Sequence, residues 1–383
     1  MSGAYIRGAG LSCALGMDAQ SCVSAMLRMQ LPRVTIQLDE FAEPLQLPYY
    51  RIPDQAGLFD PGRFEQLLPS VVRAAVAQAG LTDAEVRQLP LFIGSSCFSI
   101  GLSESHYAAA LAHKSQNAIP LPLCGYQDIA VLAQRALGNA GDTYIYNTAC
   151  TASANAVLGA LHMLELGWYR HALVIGAELA NRTTLAGFSG LQILADRLQP
   201  FDAARKGIVL GEGIGAVLLS SQADDSKCLK VTGGANNCDT WSVTTANPDG
   251  LSVAALLRRT FEQVCVQPRQ VRGIKAHGTA TTTGDSAEAL GMHQVFESLP
   301  PVSVLKPYIG HTLGACCINE LVLFAGALQR GCLPATPGFE TPDPALGVHP
   351  LVQTAAAQDG YYLLNHFGFG GNNTVLVLEK TAP

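Results

Sequence analysis

Short apolar runs alternate with longer helical patterns along nearly the whole chain, and the alternation is played twice. In the first half the β-forming runs fall at Ala4–Leu15, Leu89–Ser95, Thr143–Tyr146, Ala172–Ala177 and Ile214–Ser220. Helical patterns lie between them at Met17–Met29, Phe64–Gly80, Ser103–His113, Gln127–Leu137 and Ala152–Leu166. A hydrophilic stretch, Ser221–Lys227, follows. The rhythm then returns with runs at Cys228–Ala235, Gly273–Ala276, Pro301–Leu305, Tyr361–Asn365 and Val375–Glu379, and with helices at Ser252–Cys265, about Asp285–Glu297 and a segment ending near Gln329. Apolar runs of strand length spaced by helices predict layered α/β structure rather than a bundle or an all-β fold. The repetition predicts a duplicated unit with halves at 1–224 and 225–383, although the halves share no evident identity. Leu31–Pro61 is rich in proline and has no period, so it reads as loop.

Composition narrows the class. Only 14% of the 383 residues are charged while 48% are hydrophobic, which suits a chain with much buried surface. A net charge of −6 argues against general nucleic-acid affinity. No apolar run is long enough to span a membrane. Met1-Ser2-Gly3-Ala4-Tyr5-Ile6-Arg7 lacks the charged-then-apolar pattern of a signal peptide. The 11 cysteines are scattered, without a C-x-x-C pair, so neither a zinc site nor a disulfide scaffold is expected. A reducing, cytoplasmic setting is the simplest expectation.

Three strand-to-helix turns carry reactive side chains. The first is Asn147-Thr148-Ala149-Cys150-Thr151, the second holds His277, and the third holds Lys306 and His311. In α/β sheets such groups collect at the carboxyl ends of strands. Cys150 beside a helix start is expected to be partly thiolate, because free N–H groups and the helix dipole favour the anion. A thiolate can take an acyl group from an activated carbonyl. The two imidazoles can donate hydrogen bonds to an oxyanion or move protons. The turn Gly368-Phe369-Gly370-Gly371 can bring the Phe369 N–H beside that of Cys150 as an oxyanion hole. Its plainer reading, and that of Gly211-Glu212-Gly213, is a tight hairpin turn.

Five motifs in order resemble those of the β-ketoacyl-acyl-carrier-protein synthases, elongating condensing enzymes of the thiolase superfamily. Thr148-Ala149-Cys150-Thr151 is similar to the nucleophile segment. Phe201-Asp202-Ala-Ala-Arg205 through Gly211-Glu212-Gly213 is similar to a long internal signature. His277-Gly278-Thr279-Ala280-Thr281 with Gly284-Asp285 and Glu288, Lys306-Pro-Tyr-Ile-Gly310-His311, and Asn365-His-Phe-Gly368-Phe369-Gly370-Gly371 are similar to the remaining three. The resemblance implies a thiolase fold, a duplicated α/β/α/β/α unit with two mixed five-stranded sheets. It implies that Cys150 carries the acyl chain while His277 and His311 bind the malonyl thioester and assist loss of CO2. Lys306 and Glu320 would hold the histidines, with Asp285 and Glu288 in support. Thr279 and Thr281 would bind the phosphopantetheine arm, and Phe369 would gate Cys150.

It further implies that acyl carrier protein is a partner, that substrates arrive on its phosphopantetheine with no other cofactor and no metal, and that the protein dimerises with itself or with a related ketosynthase-like subunit. The sequence departs from the family pattern at Lys206, Pro307, Cys316-Cys317 and Asn372, and Phe188–Phe201 is short. These departures point to a specialised, polyketide or aryl-polyene type pathway over a housekeeping fatty-acid one. A chain-length partner of another ketosynthase and a cysteine thioester hydrolase stay open as alternatives. Arg205, Lys206, Arg258 and Arg259 are candidates for docking the acidic carrier, with ordinary solvated charge as the plainer reading.

Overall fold

A computed structural model describes residues 3–39, 43–112, 125–222 and 229–382. Ten strands form one sheet, here numbered β1 (Ala4–Cys13), β2 (Leu91–Gly94), β3 (Thr143–Tyr146), β4 (His171–Glu178), β5 (Gly213–Ser220), β6 (Leu229–Cys238), β7 (Val271–Lys275), β8 (Val302–Ser303), β9 (Gly360–Phe367) and β10 (Asn372–Lys380). The order across the sheet is β3-β2-β4-β5-β1 followed by β6-β10-β9-β7-β8. Numbered within its own half, each set of five runs third, second, fourth, fifth, first. Identical order in both halves is the topological mark of duplication, in the absence of visible sequence identity. Two separate five-stranded sheets were expected; among the described residues the two sets are instead joined into one sheet where Ala4 and Tyr5 pair with Val231 and Lys230. The 224/225 boundary expected from the sequence lies outside the described residues.

Within each set the inner strands are parallel and the last is antiparallel: β2 pairs parallel with β3 and β4, whereas β5 runs antiparallel to β4 and β1. Parallel strands are buried on both faces and read as continuous apolar runs. β4, His-Ala-Leu-Val-Ile-Gly-Ala-Glu, is buried at every position.

Two helices follow the third strand of each half: α1 (Ala152–Glu165) and α2 (Cys316–Gln329). They pack on one another between the two sets of strands and share one core cluster. α2 is buried almost all round, as a helix in a central layer must be. Arg63–Ala77 and Gln127–Leu137 cover the outer face of the first half, and Leu251–Val264 and Thr282–His293 that of the second. The layers are therefore α/β/α/β/α.

The stretch expected to be loop, Leu31–Pro61, holds two antiparallel strands, Val34–Leu38 and Leu45–Tyr50. Five prolines in the stretch hide them: Pro48 sits inside the second strand, the middle one of three, just before the Tyr49 and Tyr50 positions that pair with Leu210 and Gly211. Gly211-Glu212-Gly213 is not a hairpin turn but an extended approach to β5. Gly211 is there because a Cβ would stand 2.1 Å from the Ile309 carbonyl oxygen. Glu212 is buried and pairs with Arg63, which also binds Asp54 at 2.7 Å.

Candidate active site

The two halves contribute to one site in corresponding ways. Cys150 follows β3, the third strand of its half; Lys306 and His311 follow β8, the third strand of the other. His277 follows β7, a second strand, and Ser95-Ser96 follow β2, its counterpart.

Between β3 and α1 the chain turns sharply, with Ala149 in the left-handed region at φ +51°. The Thr151 and Ala152 N–H groups close back on the carbonyls of Thr148 and Ala149. Cys150 thus stands one residue before the Thr151 cap of α1 and is buried. A Cβ on Gly94 would collide with Ser153, so that glycine lets α1 dock on β2 and fixes the cysteine's height.

The expected thiolate is not the resting form. Burial pushes the Cys150 thiol up to about 12, against the opposing pull of a hydrogen bond from the Phe369 N–H and of the Lys306 cation. Removal from water outweighs one helix terminus. The compensating group is His311, whose Nε2 lies 3.1 Å from Cys150 Sγ. Burial holds His311 well below the usual imidazole range, and Lys306 and Lys275 push it the same way. The resting pair is a thiol and a neutral imidazole that can accept its proton.

His277 stands across from His311, ring centroids 5.5 Å apart and nearly perpendicular. The Glu288 carboxylate grips its backbone: the N–H groups of His277 and Gly278 donate to the two oxygens at 2.8 and 2.9 Å. The Asn365 amide donates to the same carboxylate at 2.9 Å. Lys306 spends its three protons on His277 O at 2.7 Å, Glu320 Oε1 at 2.9 Å and His277 Nδ1 at 3.2 Å. Burial works against the Lys306 charge, but Glu320 outweighs it and holds the amine above its ordinary value. An ammonium can only donate, so Nδ1 of His277 accepts and its proton resides on Nε2. Burial and then the Lys306 charge keep that ring neutral.

Asp285 anchors the neighbouring loop by accepting from Phe201 N–H at 2.7 Å and Ala280 N–H at 3.0 Å. Burial raises its carboxyl to about 7. Thr279 and Thr281 face each other, hydroxyls 3.0 Å apart. They border a cavity of about 280 Å³ that also meets Cys150, His277, His311 and Phe369. At its other side lie Phe188, Leu191, Ile193 and Ile208, and Phe188 stacks on Phe369 at 5.7 Å with planes 9° apart. The glycine turn joins β9 to β10, and a Cβ on Gly368 would stand 3.2 Å from the Cys150 nitrogen. The turn is thus both a hairpin and a wall of the site.

Several buried groups at the site escaped the sequence reading. Lys275 donates to Glu320 Oε2 at 2.5 Å and to the Asn365 carbonyl at 2.7 Å. His366, with its ring 6.4 Å from His277, places Nδ1 3.8 Å from Cys316 Sγ, while Cys316 donates to the Cys150 carbonyl at 3.1 Å. Glu178 accepts from the Ser96 and Cys97 N–H groups and from Ser96 Oγ, which in turn accepts from Gly314 N–H at 3.1 Å. A charged residue inside an apolar run, as in Val-Arg-Gly-Ile-Lys275, was the available signal for Lys275. Of the proposed docking cations, Arg205 is internal, paired with Asp343 at 2.6 Å. Arg259 borders a different cavity, beside Tyr146 and Thr148; Lys206 and Arg258 are exposed.

Two family models match: "Beta-ketoacyl synthase, N-terminal domain" over residues 51–225 and "Beta-ketoacyl synthase, C-terminal domain" over 229–340. A chloroplastic 3-oxoacyl-[acyl-carrier-protein] synthase I of Arabidopsis thaliana is 30% identical over 263 residues, 64% of this chain and 56% of that one. The 3-oxoacyl-[acyl-carrier-protein] synthase 2 of Synechocystis is 32% identical over 262 residues, 64% of this chain and 63% of that one. The chain thus spans less than two thirds of the length of these curated relatives. The solved complex of a ketosynthase with its chain length factor from Xenorhabdus doucetiae contains a chain of the same thiolase fold: 24% identity, 99% of this chain and 98% of that one, TM-score 0.85.

Proposed function

This chain belongs to the β-ketoacyl synthase family, and from that premise we propose that it is an elongating condensing enzyme. In this reading Cys150 accepts an acyl chain from acyl carrier protein and joins it to a malonyl unit with loss of CO2. The observation that carries the reading is the buried set itself: a thiol 3.1 Å from one imidazole, with a second imidazole 5.5 Å away whose tautomer is set by Lys306.

The steps follow from these groups. His311 Nε2 takes the thiol proton as Cys150 Sγ attacks the acyl thioester. The carrier thiol leaves with a proton, and the acyl chain remains on sulfur. The N–H groups of Cys150 and Phe369 stabilise the oxyanion of that step. A malonyl thioester then enters, with its carbonyl oxygen accepting from the Nε2–H of His277 and from His311, whose unpartnered Nδ1 leaves its ring proton free to sit on Nε2 once the sulfur is acylated. The bond to the carboxylate breaks, CO2 departs, and the electron pair passes into an enolate whose oxygen those imidazoles stabilise. The enolate carbon attacks the acyl carbonyl, the carbon–sulfur bond breaks with Cys150 leaving as thiolate, and a proton taken up from water through His311 restores the thiol. In this reading Thr279 and Thr281, which border the cavity, bind the pantetheine arm, and Glu320, Glu288 and Asp285 hold the frame. The chemistry uses the thioester of the substrate and side chains of this chain, without a resident cofactor or metal.

We place the protein in a specialised pathway, because Cys316-Cys317 behind Cys150 and the short segment Phe188–Phe201 depart from the family pattern. The strand β3 lies at the end of the sheet with Ile145 40% exposed, which supports edge-to-edge pairing with a second subunit, identical or related. Retention of Cys150 favours a catalytic subunit over a chain-length partner. The two half-chains, 1–224 and 225–383, are read as one duplicated unit sharing one site. Among the described residues no helix is long and apolar enough to cross a membrane, and the nine described cysteines are free thiols, which supports a reducing, cytoplasmic setting.

The test is incubation with an acyl carrier primer and malonyl carrier. Intact mass should show an acyl adduct on Cys150, with CO2 and a β-ketoacyl carrier as products. Free acid without CO2 release would instead indicate a thioester hydrolase.

A further inference from the structure

Glu320 is shared between two buried lysines, and only one of them reaches the histidines. Lys306 holds Oε1 at 2.9 Å and turns its other protons on His277. Lys275 holds Oε2 at 2.5 Å and the carbonyl of Asn365, the residue before His366, at 2.7 Å. All three side chains are fully buried. A single lysine against a carboxylate in a dry site is free to take both oxygens. With Oε2 already occupied, Lys306 is confined to one oxygen, and its remaining donors stay directed at His277. Burying a second ammonium beside Glu320 is an arrangement too costly to keep for packing alone.

We propose that Lys275 is a positioning residue of the condensation site: by occupying the second oxygen of Glu320 it keeps Lys306 engaged with His277. The proposal rests on the condensing reading above. The groups facing His277 are Lys306 from the short helix Lys306–Ile309 after β8, Glu320 behind it on α2, His311 across the pocket, His366 from β9, and the Glu288 carboxylate at its backbone. Lys275 contributes, after burial, to keeping His277, His311 and His366 below the ordinary imidazole range. Without it Lys306 relaxes onto Glu320, and protonation of the imidazoles begins at higher pH.

Two variants test this on the full chain, with malonyl-carrier decarboxylation followed from pH 5 to 8. Lys275→Gln retains donors of similar reach and removes the charge. Lys275→Met removes both. Wild-type CO2 release is the control: its absence sinks the condensing reading and not the role of Lys275 specifically. Given that release, both variants should move the acid limb of kcat upward by about 1 pH unit, the scale of one neighbouring buried charge. Lys275→Met should lower kcat at least about tenfold with KM little changed. In a Glu320→Gln background the Met substitution should cost less than half as much on a logarithmic scale, because the two act through one contact. Should Lys275→Met fail to fold, the acid limb of Lys275→Gln decides alone. An unmoved acid limb in the Gln variant, or a fully additive loss with Glu320→Gln, overturns the proposal.

Discussion

His311 Nε2 lies 3.1 Å from Cys150 Sγ, in a site where burial has pushed the thiol up to about 12 and the imidazole below its ordinary range. Neither group carries charge at rest, so reactivity depends on their passing one proton between them. At neutral pH a thiol of that pKa alone would be ionised to roughly one part in 10⁵. Alkylation of Cys150 by iodoacetamide at pH 7.5 should therefore slow at least about tenfold in His311→Ala. Intact-mass kinetics would register it, and equal labelling rates would show that His311 does not serve the thiol.

Lys306 sets the tautomer of His277 by donating to Nδ1 at 3.2 Å. In Lys306→Met the proton is free to move to Nδ1, and the donor toward the thioester oxygen is lost. Removal of one such donor typically costs about 10²–10³ in rate. Decarboxylation by this variant should fall by that order while acyl loading on Cys150 persists. A parallel loss of both half-reactions would mean that Lys306 is structural for the whole site.

Three buried imidazoles, His277, His311 and His366, have folded-state pKa values well below the unfolded one near 6.5. The unfolded chain binds protons that the folded chain refuses, so stability is complete above about pH 6.5 and declines as pH falls below it. Each such group adds about 1.4 kcal/mol of destabilisation per pH unit in that window. Urea midpoints between pH 7 and 5 should fall steeply, and less steeply in His366→Gln. A slope unchanged by that substitution would contradict the neutral, buried assignment of His366.

Glu320 behaves in the opposite sense. Burial alone would raise its pKa, but Lys275 and Lys306 overcome it and hold the carboxylate below the ordinary glutamate value. Its stabilisation is present above about pH 4.5 and is lost as pH falls through the lower folded value. Glu320→Gln should destabilise the protein by about 3–5 kcal/mol at pH 7, the scale of breaking a buried ion pair. Chemical denaturation of both forms at pH 7 and pH 4 would test it; an equal difference at the two pH values is the contrary result.

Phe188 and Phe369 stack at 5.7 Å beside the cavity that meets Cys150. Phe188→Ala removes one face of that pair, opening the cavity and admitting water. Longer acyl groups should load faster, and the loaded Cys150 thioester should hydrolyse faster. Mass spectrometry over a series of acyl carriers follows both rates, and an unchanged series would separate Phe188 from the acyl pocket.

Much of this was legible from local pattern. Buried parallel strands are continuous apolar runs, so β4 and β5 stand out, and the residues that end such strands, Cys150, His277 and Lys306, mark the site by position alone. The strands at Val34–Leu38 and Leu45–Tyr50 were not legible, because prolines mask an edge pair held by a neighbour, Leu210–Gly211, distant in the chain. The ionisation of Cys150 was misjudged for a related reason: a helix start is visible in sequence, while removal from water is not.

The sequence by itself determined the alternation of strands and helices, its repetition, and the reactive residues at the strand ends, since these depend on spacing along the chain. Only the tertiary structure decided that corresponding strands of the two halves point their loops at one cavity. Only it set His311 Nε2 within 3.1 Å of a thiol removed from water, and brought Lys275, Glu178 and His366 around the same site. The physical reason is that burial and charge are set by what surrounds a group in space. Here those neighbours are far off along the chain: His311 is 161 residues from Cys150 and Gly314 is 218 from Ser96.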